Sequence, residues 1–475
     1  MGGGGDEGLL AAVIVLETGE EAADGPAQPA DLVAARSADE RPVDVFGSIA
    51  SSSAASAASG ARARPTSRLG PARRQRSLPS AGMRRSLTLL SLQHALIHAQ
   101  GALLPLVFVR VVDEFGVGVD AIGLVVGLAN LVNGSLQLLF GPLARFVPRR
   151  AILGGAGLVF GGGMAALAAA ASWPVFAAAT VVARAGGAPQ HVVGHALLAD
   201  AYGLRRGATA INVHVAAGNV GTVLVPLVGG WLIATAGWPA AVLAVGLPAI
   251  LVAAGILRFV DGPGTGRAPL SESSTRAVVR SLAGERDVVW VTLASSIAAA
   301  GRGLGIVTTF VPLYLALVLR LDPATVALMY TLLVAGSVPG PLVGGWLAGR
   351  IGHRPVVIGS YILAAVAVGA FVLAGSNLLF VWLALGFMSA VVFEESALLQ
   401  ALLAEVARPA IRDVAFAVYF TLMFGVGAIW AAVLGWVVGA LGNETGFPVA
   451  FGLMAVSYLL AAVAVVPVGE PHGRA

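Results

Sequence analysis

Between Leu87 and Pro467 the chain is almost entirely apolar, and short polar joints divide it into twelve stretches. They run over about 87–112, 120–141, 151–171, 174–199, 208–235, 238–259, 288–317, 323–348, 355–374, 378–404, 412–439 and 447–467. At about 1.5 Å of rise per residue, each is long enough as a helix to cross a hydrocarbon layer about 30 Å thick. Lipid offers the backbone no hydrogen bonds, so each crossing must satisfy its own amides. None shows the alternating segments of roughly ten residues that a barrel strand requires. The pattern predicts an all-α membrane protein with twelve transmembrane helices.

The joints also orient the chain. Every basic residue is arginine. Arg84 and Arg85 precede the first stretch; Arg145, Arg149 and Arg150 follow the second; Arg205 and Arg206 follow the fourth. Arginines from Arg258 to Arg286 follow the sixth, Arg350 and Arg354 the eighth, and Arg408 and Arg412 the tenth. The opposite joints carry Asp113, Glu114, Asp120, Asp322 and Glu444, with only Arg110 and Arg320. Arginine-rich joints stay in the cytoplasm, which predicts a multi-pass protein of the cell membrane with both termini cytoplasmic. The sequence pI of 9.9 then reflects topology, not a surface for nucleic acid.

Composition agrees with this picture: 57% of residues are hydrophobic and only 11% charged, against about 25% charged in a soluble domain. The 62 glycines allow close helix packing, and the Gly161–Gly163 triplet lies inside a stretch, not at a cofactor-cradling turn. The absence of cysteine removes disulfides, thiolate metal sites and cysteine nucleophiles. No enzyme, no cofactor and no resident metal site is expected.

Residues 1–85 differ in kind. A Gly/Ala/acidic part reaches about Asp44, a Ser/Ala run covers Ser51 to Ser59, and arginines crowd between Arg62 and Arg85. Such a mixture buries too little apolar surface to order itself, so a disordered cytoplasmic tail is expected. Met83 is an alternative start, and anionic lipid headgroups an alternative use for the arginines.

The apolar region repeats itself. GALLPL at Gly101, GPLARFVPRR at Gly141 and GGWLIATAGW at Gly229 are answered by TTFVPLYL at Thr308, GWLAGRIGHR at Gly345 and LGWVVGALGN at Leu434. Pairing Pro105 with Pro312, Gly141 with Gly345 and Trp231 with Trp436 gives shifts of 207, 204 and 205 residues. Duplicated halves are a transporter feature. The expected organisation is a tail (1–85), a six-helix bundle (86–260), a cytoplasmic link (261–287), a second six-helix bundle (288–467) and a short C-terminus (468–475).

In these motifs the chain resembles the major facilitator superfamily. The family's loop motif, Gly-x-Leu-Ala-Asp-Arg-x-Gly-Arg-Arg, is matched by Gly141, Leu143, Ala144, Arg149 and Arg150, and again by Gly345, Leu347, Ala348, Arg350, Gly352 and Arg354. The acidic position is Arg145 in one copy and Gly349 in the other. The resemblance implies gating near the start of the eleventh helix, here with Arg145 and Asp413 as a charge-swapped pair. Arg184-Ala-Gly-Gly187-Ala resembles the fourth-helix arginine motif, and Pro226-Leu-Val-Gly229-Gly230 resembles part of an exporter motif. The stretches PQHVVGH at Pro189 and HALIHAQGALLPL at His94 are similar to those of fosmidomycin-resistance exporters.

Polar side chains within apolar stretches are the candidate site, since a charge at mid-bilayer costs about 2.5–3.5 kcal/mol. Arg184, His191 and His195, at i, i+7 and i+11, fall within about 40° on a regular helix. His94 and His98 share a face of the first stretch, and Asn130, Asn133 and Gln137 line the second. Helix-to-helix hydrogen bonding is an alternative role for all of these. The second half offers Arg302 on the seventh stretch and Glu394 and Glu395 on the tenth. Substrate binding is assigned to Arg184, His191, His195, Asn130, Asn133, Gln137 and Arg302, because guanidinium matches oxyanions. Proton coupling is assigned to Glu394 and Glu395, with His94 and His98 as rivals. The expected function is a secondary carrier, monomeric in the bilayer, exporting a small organic molecule against protons; an organic-anion importer and a divalent metal exporter are the alternatives.

Overall fold

The computed structural model describes residues 80–260, 284–408 and 411–469. The tail up to residue 79, most of the link at 261–287 and the end from residue 470 lie outside the described residues.

The first half opens with α1 (Ala81–Phe115), whose first turn is capped by Ser80 accepting from the Met83 amide at 3.2 Å. It is followed by α2 (Val119–Leu143), α3 (Arg149–Ala168) and α4 (Trp173–Gly187). Beyond Pro189 the chain enters a π turn, Gln190–Gly194, then α5 (His195–Ala236). At Gly203 the backbone takes φ 69° and ψ 178°, conformations open to glycine. That break ends the fourth crossing, and beyond it the rest of α5 forms the fifth. α6 (Trp238–Phe259) completes the half.

In the second half α7 (Arg286–Ala298) gives way to a 3-10 turn, Ala299–Gly301, and a π turn, Gly303–Val307, before α8 (Thr308–Leu317). The eighth crossing is α9 (Pro323–Ala335) plus α10 (Pro339–Ile351), and the ninth is α11 (His353–Leu373). The tenth is α12 (Leu378–Val391) plus α13 (Glu395–Val406), followed by α14 (Arg412–Leu441) and α15 (Asn443–Val465). Among the described residues eleven crossings are, by length and composition, long and apolar enough to span a membrane. The fourth is divided by its π turn, and with it the twelve expected helices are present.

The surface is as apolar as the aliphatic interior, and the interior also holds buried tyrosines, unlike a soluble domain with its polar exterior. Leu124, Leu139, Leu251, Leu373, Val463, Trp231 and Trp436 are exposed, whereas Tyr330, Tyr361, Tyr419 and Tyr458 are fully buried. Where bilayer replaces water, exposed leucine is not an aggregation hazard but the lipid contact.

Small residues set how closely helices approach. α3 lies along α6 through Gly154, Gly157 and Gly161. Between the halves, α2 meets α14: a Cβ on Gly123 would lie 2.5 Å from the Ala431 carbonyl oxygen, and one on Gly127 2.5 Å from that of Ala428. A Cβ on Gly230 of α5 would lie 2.5 Å from Cβ of Ala327 on α9. These contacts close the two halves together toward the arginine-poor end.

Candidate functional site

All four interrupted crossings, at 188–194, 299–307, 336–338 and 392–394, break near their middles. Irregular backbone at membrane depth is tolerated only where protein or a wet cavity satisfies it, and it is where transporters place binding groups. At the eighth crossing the Gly336 amide donates to Ser389 Oγ at 2.9 Å, and Ser389 donates to the Leu332 carbonyl at 2.7 Å. Here a neighbouring crossing supplies the partner that the broken helix lacks.

In the first half the asparagine stripe of α2 grips Arg184. The guanidinium donates to Asn130 Oδ1 at 3.0 Å, Asn133 Nδ2 donates to the Arg184 carbonyl at 2.8 Å, and Gln137 Nε2 donates to Asn133 Oδ1 at 3.0 Å. Among the described residues no carboxylate lies within ion-pair distance of Arg184. Its remaining donors are therefore uncommitted. Asn130 also faces the second half, since a Cβ on Gly305 would stand 3.9 Å from its Nδ2.

The histidines converge, although the π turn ends the regular helix that was expected to align them. His94 lies with ring centroids 4.5 Å from His98, 4.9 Å from His191 and 6.5 Å from His195. His214 on α5, which the periodicity had not singled out, stacks on His94 at 4.3 Å. The signal available in the sequence was scarcity: the chain has seven histidines, five of them in the first half.

In the second half Arg302 sits between the 3-10 and π turns of the seventh crossing, with extended backbone (φ −54°, ψ 124°). It donates to the Met423 carbonyl at 3.3 Å, while its buried Nε has no partner. Glu394 and Glu395 are both buried and part company at the start of α13. Glu394 Oε1 accepts from Ser360 Oγ at 2.5 Å. Glu395 lies within electrostatic reach of Arg302 and of Tyr361, Tyr419 and Tyr458. The hydroxyls of Tyr361 and Tyr419 form no hydrogen bond of good geometry, whereas that of Tyr458 donates to the Gly301 carbonyl. These tyrosines, half of the six in the chain, escaped the sequence reading because an aromatic in an apolar run looks like core.

Ion pairs cluster at the arginine-rich end. Arg149 pairs with Asp200 at 2.5 Å, His353 with Glu405 at 2.7 Å, and Arg408 with Glu285. The side chain of Asp413, the expected partner of Arg145, lies outside the described residues. At the other end, Asp322 caps α9 by accepting from the Ala324 and Thr325 amides at 3.0 and 3.1 Å. The Thr325 hydroxyl and these amides hold its carboxyl below the ordinary carboxylate range.

The profile of the Major Facilitator Superfamily matches residues 90–432 and, in a second alignment, 293–475. The chain belongs to the major facilitator superfamily. It is a membrane transporter of small solutes and not an enzyme. Among solved structures it is similar to the nucleoside transporter NupG (13% identity, TM-score 0.69), covering 81% of this chain and 100% of that one. A D-xylose-proton symporter is 15% identical with TM-score 0.67, covering 83% and 100%. A bacterial homolog of the human lysosomal transporter Spinster, in an inward-facing and occupied conformation, is 17% identical with TM-score 0.60, covering 80% and 94%. At these identities the likeness establishes the fold alone. No curated protein matches the chain.

Proposed function

We propose that the protein is a proton-coupled carrier of a small organic anion, held between Arg184 of the first half and Arg302 of the second. The observation that carries this reading is Arg302 at a broken helix, short of an ion-pair partner yet electrostatically coupled to the buried Glu395. An ionised Glu395 competes with the anion for the guanidinium. Protonating it withdraws the competitor, so proton and anion bind together. This coupling moves both in the same direction, which favours proton-driven uptake over the efflux expected from the exporter-like motif. Antiport follows from the same residues only for a cationic substrate, which would compete with the proton for Glu395 itself.

Transport proceeds by rocking of the bundles 86–260 and 288–467 about this midplane site. Gating at the cytoplasmic end is assigned to Arg145 and Asp413, and the protein is placed in the plasma membrane with both termini inside, following the arginine distribution. The deciding experiment uses proteoliposomes with an imposed proton gradient and a panel of labelled carboxylates, phosphonates and organic cations. Anion accumulation on the alkaline side is expected. Accumulation of cations on the acidic side, with no response to anions, overturns the reading.

A further inference from the structure

The histidine cluster has more ring nitrogens than the first half can use. His94 Nδ1 lies 2.8 Å from the His214 carbonyl oxygen. A carbonyl only accepts, so Nδ1 carries the hydrogen and His94 Nε2 is a bare lone pair, buried and without a partner. His98 Nδ1 lies 3.1 Å from Thr222 Oγ1, whose own hydrogen is spent on the Gly218 carbonyl at 3.3 Å. His98 must therefore also donate from Nδ1 and leave its Nε2 lone pair free. His195 Nε2 and both ring nitrogens of the fully buried His214 are likewise unpartnered.

Ligand nitrogens of His94, His98 and His191 all lie within 4.8 Å of one another. His94 and His98 each keep a free Nε2 lone pair, and a cation held between the three rings would satisfy both. We propose that this cluster binds a late first-row transition-metal ion such as Zn²⁺ or Co²⁺ through His94, His98 and His191, which leaves a fourth tetrahedral position open.

Ligands about 2.0–2.1 Å from a tetrahedral ion are about 3.4 Å apart, so side-chain shifts of about 1 Å close the site. Imidazole suits these ions. The outer contacts are those of metal sites, in which a ligating histidine donates its other ring N–H to a carbonyl or hydroxyl. The π turn brings His191 and His195 to the ring of His94, and π turns recur at functional sites. Gln190 ties that turn to α1 by donating to the Leu90 carbonyl at 2.9 Å. Gly218 keeps α5 close: a Cβ there would stand 2.9 Å from His94 Cε1 and 3.1 Å from His98 Cδ2. His191 is exposed and gives the ion access. Arg184 lies within electrostatic reach of His98, so an open coordination position would take water, hydroxide or an anion.

The site goes beyond the organic-anion reading, and binding is measured without transport. Full-length protein, purified through a tag that lacks histidine and stripped with chelator, is titrated with Co²⁺ by visible absorption and with Zn²⁺ by calorimetry. One ion per chain is expected. His98→Gln and His191→Gln should each weaken binding at least tenfold; His191 is exposed, so its variant keeps the fold. Thr222→Val, which removes the oxygen that fixes the His98 tautomer, should weaken binding about tenfold. His353→Gln, whose ring pairs with Glu405, should leave it unchanged. Sub-stoichiometric binding, or equal affinity in wild type, His98→Gln and His191→Gln, marks an adventitious ion only and overturns the proposal. Either outcome leaves the organic-anion experiment standing on its own.

Discussion

The seam between α2 and α14 makes the balance between conformations sensitive to single methyl groups. In Gly127→Ala the new Cβ would sit 2.5 Å from the Ala428 carbonyl oxygen, and in Gly123→Ala 2.5 Å from that of Ala431. Ordinary contact lies about 1 Å further out, and a backbone carbonyl cannot rotate away as a side-chain tip can. The helices must separate at the arginine-poor end, and overpacking of this kind costs about 1–3 kcal/mol. That cost applies only while this end is closed. It should therefore shift the closed-to-open balance about 5- to 150-fold toward opening. Because the chain has no cysteine, single reporter cysteines near Asp120 and Gly439 can be labelled without background. Faster labelling is expected in both variants, with Gly155→Ala and Gly162→Ala, which meet nothing within 4 Å, as unchanged controls. Correctly inserted Gly127→Ala protein that labels at the wild-type rate refutes the seam as a closing contact.

Glu395→Gln should abolish proton-driven accumulation while sparing substrate counterflow, whereas Ser360→Ala, which frees only Glu394, should leave coupling intact; coupling retained in Glu395→Gln assigns the proton elsewhere. Arg184→Ala should raise the Kd for the transported anion about tenfold or more, with lysine restoring it only in part because it lacks the planar fork; unchanged affinity in equilibrium binding removes Arg184 from the site. For the gate, the double variant Arg145→Asp with Asp413→Arg should recover the cytoplasmic accessibility that either single change disturbs, and failure to recover it rules the swap out. Asp322→Asn should lower the melting temperature at neutral pH. The native carboxyl titrates below its unfolded value of about 3.9, so its contribution is present above that pH and is lost as pH falls through the folded value. The gap between the two melting temperatures should narrow as the pH falls below the unfolded value and close once the folded carboxyl is protonated, and a gap that does not narrow with falling pH contradicts the cap's ionic character.

The parts that were legible in the sequence are those imposed by the bilayer on a chain read in one dimension. Apolar run length set twelve crossings, while the arginine asymmetry and the near-constant shift between motifs supply the orientation and the repeat that are proposed for it. Each depends on local transfer free energies, which need no knowledge of neighbours. Arg184, Arg302, the histidines and the glutamates stood out for the same reason, being costly in lipid wherever they point. Tertiary structure decided what they point at. A regular 100° repeat was assumed for Arg184, His191 and His195, but the turn at Gln190–Gly194 interrupts it, and the rings meet because α1 and α5 approach across Gly218. His214 joins the cluster from a crossing whose helical periodicity does not pair it with the others, so that only its scarcity as a histidine marked it. Glu394 and Glu395, adjacent in the chain, serve different neighbours because α12 ends at Val391 and α13 starts afresh at Glu395. Helix breaks at membrane depth depend on partners such as Ser389, more than fifty residues from the amide it satisfies, and no local pattern records a partner at that distance.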